Sequence, residues 1–328
     1  MIPKISVCMP TYNYARYISG AIESVLNQRF EDFELIVLDD CSTDNTQEVV
    51  GRFLCDKRVS FEKNEQNVGM VGNWNKCLSK ARGEYIKFVF SDDMLASDDA
   101  LGLMAGIMDS DPSVALVASA RHVIDSESRI VGLASHFPPG FAADGTDIIN
   151  RCLRRGTMLK NFIGEPTVVM FRRADSVRGF DERYQQLVDL EMWFHLLEKG
   201  RFAFLAQPLA SFRVHTGQKS RANLLGLKYL DDEFRLLVEY SSKPYCRINF
   251  IRKLYRASEI LYVIWKCGKN GIITREEASA RIRARCSCLS FGCHYIAFKV
   301  LRRLLKFETN TEIDRKIYGA PGQNPFGL

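Results

Sequence analysis

Four short groups of carboxylate, amide and hydroxyl residues stand out in the first hundred residues of this 328-residue sequence. They are Pro10-Thr11-Tyr12-Asn13, Asp39-Asp40-Cys41-Ser42-Thr43-Asp44, Asn67-Val68-Gly69 with Asn73, and Ser91-Asp92-Asp93. Carboxylate oxygens hold hard divalent cations, and amides and hydroxyls hydrogen-bond to polar small molecules. Together these residue types indicate a polar site for a small ligand, provided that the fold brings the groups together.

The segments around these groups predict alternating strands and helices. Short apolar runs predict strands at 5–9, 34–39, 59–61 and 85–90, and helical periodicity appears at 17–27, 46–54 and 73–81. This order is typical of an α/β fold with a mainly parallel sheet and helices on both faces. Ligands bind such sheets beyond the carboxyl ends of the strands, so we expect the four polar groups at one edge.

Further elements are predicted along the chain. Strands are expected at 114–120, 122–131, 167–171, 202–205 and 209–214, with helices near 147–154 and 189–199. Ser97 is predicted to cap a helix that has Asp98 and Asp99 in its first turn, where acids favour the positive end of the helix dipole. Residues 134–145, which contain Pro138-Pro139-Gly140, are expected to form a mobile loop.

The polar groups favour a nucleotide site that uses a metal. Neither GxxxxGK[ST] nor GxGxxG follows the first strand, so glycine-rich backbone amides do not supply the counter-charge for phosphates. Two Asp pairs at successive strand ends suit a divalent cation that also grips a diphosphate. In this arrangement Asp40 is placed to accept hydrogen bonds from a base and Asp92 from a ribose.

The combined motifs closely resemble the family 2 glycosyltransferases of GT-A fold, over roughly residues 3–220. The resemblance rests on Ile5-Ser6-Val7-Cys8-Met9-Pro10-Thr11-Tyr12-Asn13, Asp39-Asp40-x-Ser42-x-Asp44, Asn67-x-Gly69 and Asp92-Asp93. It implies a Rossmann-like, mostly parallel sheet and an inverting enzyme that uses a nucleotide-diphosphate sugar with Mn or Mg. It also implies that Asp40 contacts the base, Asp92 lies near the ribose or diphosphate, and Asp93 binds the metal. Further donor-binding residues are then Pro10, Thr11, Tyr12, Asn13, Asn67, Gly69 and Asn73.

A further motif resembles the acceptor side of the same family. Val188-Asp189-Leu190-Glu191-Met192-Trp193 implies that Asp189 is the base that takes the proton of the acceptor hydroxyl as it attacks the anomeric carbon. Asp189 could equally be a helix N-cap. Glu191 and Trp193 are assigned to the acceptor side, together with Glu165, which precedes a predicted strand.

The run Phe212-Arg213-Val214-His215 resembles the family's R-x-H signature, which implies that His215 is a ligand of the metal or the diphosphate. Two positions depart from the family pattern, because Phe90 and Val188 stand where it has acids. They leave open a non-catalytic sugar-nucleotide-binding or scaffold protein of the same fold. A nucleotidyltransferase is disfavoured, since no glycine- and arginine-rich loop follows the first strand.

The charge distribution separates the C-terminal third from the rest. The net charge is +6, yet residues 243–316 carry 17 Lys/Arg and 6 Asp/Glu, so the remainder is acidic overall. We predict a catalytic domain at 1–222 and a basic, mainly helical region at 223–328. A helix near 295–306 places Ile296, Val300, Leu301 and Leu304 on one face. That face suits an anionic membrane, or packing on the catalytic domain or a second subunit. No nucleic-acid motif accompanies the charge.

The scattered cysteines, ten in all, and a start without signal-peptide character predict a cytoplasmic protein, with the inner face of the membrane as a further location. No apolar run approaches the ~20 residues that a membrane-spanning helix needs. The expected activity is transfer of a hexosyl or N-acetylhexosaminyl group, with a UDP-sugar favoured as the donor. The acceptor is a hydroxyl of a glycan, a lipid-linked glycan or a glycoprotein in surface polysaccharide biosynthesis.

Overall fold

The computed structural model describes residues 2–154, 161–215, 217–218 and 227–304. The chain divides into two compact units. The first comprises Met1–Ile149 and Asn161–Ala222, and the second comprises Asn150–Lys160 and Asn223–Leu328.

The strands of the first unit form one sheet. They are β1 (Ile5–Thr11), β2 (Phe33–Asp39), β3 (Val59–Lys63), β4 (Tyr85–Phe88), β5 (Met94–Leu95), β6 (Val114–Ile124), β7 (Ile130–Ala134), β8 (Ala142–Asp144), β9 (Val169–Arg172) and β10 (Arg201–Arg213). The order is β3-β2-β1-β4-β9-β6-β10-β5, with β7 paired to β6 and β8 paired to β10. This confirms the predicted α/β class.

The sheet is parallel in one half and mixed in the other. Strands β3, β2, β1 and β4 run parallel, as their alternation with helices predicts. Beyond them β9 is antiparallel to both β4 and β6, while β6 and β10 are parallel to each other. Because β9 runs in reverse, its amino-terminal end lies at the same edge as the carboxyl ends of β4 and β6. Residues just before β9 are therefore brought to the predicted site.

Helices cover the sheet and bury its central strands. They are α1 (Ile18–Leu26), α2 (Thr46–Gly51), α3 (Met70–Lys80), α4 (Ala100–Ser110) and α6 (Val188–Leu197), whereas α5 (Gly145–Arg154) begins in the first unit and ends in the second. Strand β1 is buried over its whole length, as expected of a parallel strand with neighbours on both sides and helices on both faces. A central position gives the residues that follow β1 a rigid support.

Several predicted boundaries are wrong. Helix α4 begins at Ala100 after Asp99 and has no acid in its first turn, so Ser97 does not cap it. Asp99 instead forms an exposed ion pair with Arg29 at 3.0 Å. Strand β6 continues without a break to Ile124, and β10 joins two predicted strands because a register shift at Pro208 accommodates the missing N–H. The predicted loop at 134–145 contains β8.

The second unit contains the helices α7 (Lys228–Ser241), α8 (Phe250–Lys269), α9 (Arg275–Arg283) and α10 (Cys288–Leu304). Asn249 and Thr274 cap α8 and α9 through side-chain oxygens that accept hydrogen bonds from backbone N–H groups. An apolar core includes Leu237, Ile264 and Ile282. None of the described helices has the length and apolar character that crossing a membrane requires.

Helix α10 packs on α8 through its aromatic face. Phe298 is buried and stacks on Tyr262 with ring centroids 4.5 Å apart. Ile296 and Val300, predicted to share the apolar face, are 63% and 46% exposed. The helix thus keeps apolar side chains at its surface after its core contacts are made.

Candidate active site

The first two polar groups are joined directly at the carboxyl edge of β1 and β2. The backbone N–H of Asn13 donates to Ser42 Oγ, and Asn13 Oδ1 accepts from the backbone N–H of Thr43, both at 2.8 Å. Pro10 and Thr11 end β1, and the Pro10 carbonyl accepts from Ser91 Oγ at 2.9 Å. Tyr12 is 45% exposed. The end of β1 and the residues that follow it therefore contact the polar groups that follow both β2 and β4.

Asp40 organises the loop before α3. Its carboxylate accepts hydrogen bonds from the backbone N–H groups of Val68 (2.8 Å) and Gly69 (3.0 Å) and from Asn64 Nδ2 (2.9 Å). Gly69 has φ 82°, a conformation that glycine adopts at little cost. Asn67 Nδ2 donates to the Asp40 carbonyl at 3.0 Å. The predicted donor residues Asp40, Asn67 and Gly69 thus form one hydrogen-bonded loop.

Asn73 connects this loop to β2 through hydrogen bonds. It is buried in α3, donates from Nδ2 to the Leu38 carbonyl at 3.1 Å, and accepts from Asn64 Nδ2 at 3.0 Å. Asn73 and Asp40 are both buried, so their side chains offer little surface to a nucleotide base. Direct contact between Asp40 and a base stays a prediction.

The structure brings His215 to Asp92. Asp92 Oδ2 lies 3.1 Å from His215 Nε2, and the two side chains are 11% and 9% exposed. The rings of Tyr14 and Tyr17 surround the imidazole, with centroids 5.9 and 5.1 Å away. Burial, and next the Asp92 charge, raise the pKa of Tyr14, whose hydroxyl hydrogen-bonds to Asp92. Two side chains 123 positions apart therefore form one carboxylate and imidazole pair.

Asp93 is held inside the protein by two hydrogen bonds. It is only 1% exposed, and each carboxylate oxygen is engaged: Oδ2 accepts from Thr167 Oγ1 at 2.6 Å, and Oδ1 accepts from the backbone N–H of Arg213 at 2.9 Å. Burial, and next the Asp92 charge, raise the pKa of Asp93. Asp93 thus ties the turn after β4 to the segment before β9 and to the end of β10, and its assignment as a metal ligand stays a prediction.

Asp92 and His215 fit a divalent metal as part of its ligand set. Carboxylate and imidazole are both ligands that Mn accepts. Among the described residues, however, no three His, Cys, Asp or Glu side chains gather where one ion could contact them all. A metal held by this pair would take its remaining ligands from a diphosphate and water.

Asp189 lies in the first turn of α6. Its Oδ1 accepts from the backbone N–H of Leu190 at 2.7 Å, and its Oδ2 accepts from Asn161 Nδ2 at 2.9 Å. Burial, and next the charge of Glu165, raise the pKa of Asp189 to about 7. Leu187 occupies the N-cap position, so the N-cap alternative for Asp189 is wrong. A carboxyl with a near-neutral pKa is suited to general-base chemistry at physiological pH.

Comparison with known proteins decides the family. The family model described as glycosyl transferase family 2 matches residues 6–183, more than half of the chain. The chain belongs to glycosyltransferase family 2. This confirms the resemblance carried by the motifs, and it makes the protein a transferase enzyme.

Relatives and solved structures agree with this assignment. A putative teichuronic acid biosynthesis glycosyltransferase, TuaG of Bacillus subtilis, is 28% identical over 65% of this chain and 79% of its own length. The crystal structure of S. aureus TarS with UDP-GlcNAc has a TM-score of 0.61 at 19% identity, covering 98% of this chain and 88% of that one. The mannosyltransferase PcManGT of Pyrobaculum calidifontis, in complex with GDP-Man and Mn2+, has a TM-score of 0.52 at 15% identity, covering 93% and 88%. These two structures show that the fold is that of GT-A glycosyltransferases.

Two residues assigned to the acceptor side of the glycosyltransferase lie in its core. Trp193 has no exposed surface, and its Nε1 donates to the Gly164 carbonyl at 2.9 Å. Glu191 is buried and forms a two-point ion pair with Arg178, with distances of 2.9 and 2.7 Å. Both side chains are buried, and contact of Glu191 and Trp193 with the acceptor stays a prediction.

Glu165, the third residue predicted on the acceptor side, keeps part of its side chain exposed. Its side chain is 26% exposed and pairs with Arg121, with Nε to Oε2 at 2.8 Å and Nη2 to Oε1 at 3.1 Å. Its charge also acts to raise the pKa of both Asp93 and Asp189.

Three residues near the site were missed from the sequence: Arg121, Asn161 and Lys87. Arg121 and Lys87 interrupt apolar strands, which is a usable signal, since a buried cation requires polar partners. The Lys87 amine donates to the carbonyls of Thr167 and Val169, the second at 3.3 Å, and burial lowers the pKa of Lys87 to about 7. Asn161 carries no comparable local signal.

Proposed function

We propose that this glycosyltransferase is a metal-dependent, inverting enzyme whose catalytic domain is residues 1–222. It moves a sugar from a nucleotide-diphosphate sugar, with UDP-sugars favoured, to a hydroxyl of a glycan, lipid-linked glycan or glycoprotein. The observation that carries the proposal is the combination, in one unit, of the Asp92–His215 pair with a carboxyl, Asp189, whose pKa is raised to about 7. A role in surface polysaccharide biosynthesis is supported by the relative named for teichuronic acid biosynthesis.

The donor half of the proposal uses the hydrogen-bonded edge. The loop at Asp40, Asn67 and Gly69 and the residues after β1 bind the nucleoside. Asp92 and His215 hold the divalent cation, Mn or Mg, which neutralises the departing diphosphate when bound. The relatives with UDP-GlcNAc and with GDP-Man and Mn2+ support a nucleotide-sugar donor and a metal. Asp93 acts on this half indirectly, by fixing the turn that carries Asp92.

The acceptor half uses Asp189. An acceptor hydroxyl oxygen forms the new bond to the anomeric carbon on the face opposite the diphosphate, and the bond to the diphosphate oxygen breaks. The proton of the hydroxyl passes to the Asp189 carboxylate. Asn161 holds Asp189 Oδ2 by a hydrogen bond of 2.9 Å, which leaves the carboxylate oriented before the acceptor arrives.

A non-catalytic sugar-nucleotide-binding protein is the second candidate, and two positions favour it. Phe90 packs on Trp74 with ring centroids 4.8 Å apart, and Val188 is buried, so no acid occupies either place. Such a protein would bind a nucleotide sugar and leave it intact.

Donor turnover separates the two candidates. We would measure hydrolysis of UDP-GlcNAc, UDP-glucose and GDP-mannose by the full-length chain, with Mn or with EDTA. The enzyme should release UDP or GDP from one donor, and faster with Mn. Binding of a donor without release under either condition would support the non-catalytic alternative.

Membrane contact by the second unit is a further part of the proposal. The exposed Ile296 and Val300 on α10 lie in the region that carries the excess of Lys and Arg. Apolar side chains beside cations suit the surface of an anionic bilayer. The same exposed face would also suit a second copy of the chain, and this is the competing interpretation.

A further inference from the structure

A tight turn before β9 is fastened to the helix that carries Asp189. Asn161 Nδ2 donates to both the Gly164 carbonyl and Asp189 Oδ2, and Asn161 Oδ1 accepts from the backbone N–H of Gly164, all at 2.9 Å. Trp193 Nε1, from the same helix, also donates to the Gly164 carbonyl at 2.9 Å. The position of Glu165, the next residue, is therefore fixed relative to Asp189 by four hydrogen bonds.

The Glu165 carboxylate is held from its other side by Arg121 of β6. One hydrogen bond joins them, from Arg121 Nη2 to Glu165 Oε1 at 3.1 Å, and Arg121 Nε lies 2.8 Å from Glu165 Oε2 as an ion pair without hydrogen-bond geometry. A charge-assisted hydrogen bond together with the ion pair holds the Glu165 carboxylate against β6. Glu165 thus has little freedom to turn towards or away from Asp189.

Charged groups face this region from four elements. Glu165 comes from the turn before β9, Arg121 from β6 and Asp93 from the turn after β4. On α6 itself, Glu191 is paired with Arg178. Of these groups, Glu165 is the one whose charge acts most strongly on Asp189.

We propose that the Arg121–Glu165 ion pair is a positioning unit that sets the charge state of Asp189. The inference rests on the proposed role of Asp189 as the base. Val188 leaves no acid next to Asp189 in the sequence, and Glu165 supplies a carboxylate there from another segment. Arg121 limits the effect of that carboxylate by partly neutralising it.

The two partners have effects of opposite sign. Glu165→Gln removes a negative charge near Asp189, so ionisation of Asp189 becomes easier and its titration midpoint falls. Arg121→Met leaves the Glu165 charge unbalanced, so the midpoint rises. We expect each shift to be on the order of one pH unit, the size that a neighbouring charge produces. A structural role alone would not move the midpoint in opposite directions.

The test is a carbon-13 NMR titration of the Asp carboxyl groups in the full-length chain. The Asp189 signal is assigned by its absence from Asp189→Asn. Arg121→Lys keeps the cation and should restore most of the wild-type midpoint. Glu34→Gln is the matched control, because Glu34 of β2 also pairs with an arginine, Arg82 at 2.5 Å, and β2 is separated from β9 by β1 and β4. It should leave the midpoint unchanged.

Two results would overturn the inference: an Asp189 midpoint that does not fall in Glu165→Gln, or one that shifts the same way in both variants. If Arg121→Met does not fold, Glu165→Gln alone decides. The titration requires no turnover, so it is independent of the proposed function. If Asp189→Asn retains transfer, the base role fails and the charge coupling stands. If Asp189→Asn is inactive and the midpoints do not move, only the inference fails.

Discussion

At the scale of single residues, a substitution at Asp189 gives the most direct test of the proposed mechanism. Asn at this position keeps one oxygen that can accept a hydrogen bond, but a neutral amide cannot take the acceptor proton. We expect Asp189→Asn to lower the transfer rate by on the order of 10²–10⁴-fold, the usual contribution of a general base. Donor affinity and melting temperature should stay close to wild type. The measurement is all three quantities on one variant, and near-wild-type transfer would remove Asp189 from the mechanism.

The proposed metal ligands can be tested by comparing nucleotide affinity with Mn and with EDTA. UDP or GDP, whichever binds better, should bind more tightly with Mn than with EDTA, because a diphosphate cannot approach Asp92 without a cation between them. Asp92→Asn and His215→Ala should each reduce this difference. Asp93→Asn tests the predicted Asp93 ligand in the same way, and Glu34→Gln, which removes a β2 carboxylate paired with Arg82, is the control that should keep the Mn dependence. Calorimetry measures the affinities, and equal affinity in Mn and EDTA for the wild type would contradict the metal role.

At the scale of elements, the Thr167 hydroxyl connects the turn after β4 to the segment before β9. Thr167 Oγ1 accepts from the Phe90 backbone N–H at 3.2 Å and donates to Asp93 Oδ2 at 2.6 Å. Thr167→Val keeps the shape but leaves a buried acceptor unpaired, so we expect the free energy of unfolding to fall by about 1–3 kcal/mol. Thr167→Ser keeps the hydroxyl and should lose less. Urea unfolding compares the two variants, and equal losses would mean that packing, rather than the hydroxyl, decides.

The core of the second unit limits which changes to the chain can test the membrane proposal. Ile273, Ala278 and Ile282 belong to the core of the second unit, so deleting the chain from Asn270 onward would remove part of that core. A change at the surface tests the membrane proposal without this damage. Ile296 and Val300 are suitable positions because both are exposed.

At the scale of the whole chain, the basic C-terminal region should give salt-dependent binding to anionic vesicles. Full-length protein is expected to float with such vesicles at low salt and less at moderate salt, because screening weakens attraction between exposed charges. The double variant Ile296→Ser with Val300→Ser should float less at either salt concentration. Leu103→Ser, at a position 39% exposed in the first unit, is the control. If the wild type does not float, sedimentation at several concentrations should reveal a second copy on this face.

Local patterns in the sequence determined the α/β class and the family. Alternating apolar runs and helical periods depend on neighbouring residues, so the parallel strands β1 to β4 could be predicted to within a few positions. The same patterns could not predict that β9 runs in reverse between β4 and β6, since strand order and direction depend on pairing between distant segments. Boundaries at Ser97 and Pro208 failed because tertiary contacts outweighed local preference.

The candidate residues Asp92, His215 and Asp189 could be selected from the sequence, and their roles remain predictions. Only the tertiary structure decided which aspartate meets His215, because Asp92 and Asp93 are adjacent in the chain and point to different partners. It also placed Glu191 and Trp193 in the core, although one turn of α6 carries both them and Asp189. The Arg121–Glu165 pair joins positions 44 apart, and no local pattern specifies that contact. Residue type and spacing thus indicate which side chains could do chemistry, whereas burial and long-range pairing determine which of them can reach a ligand.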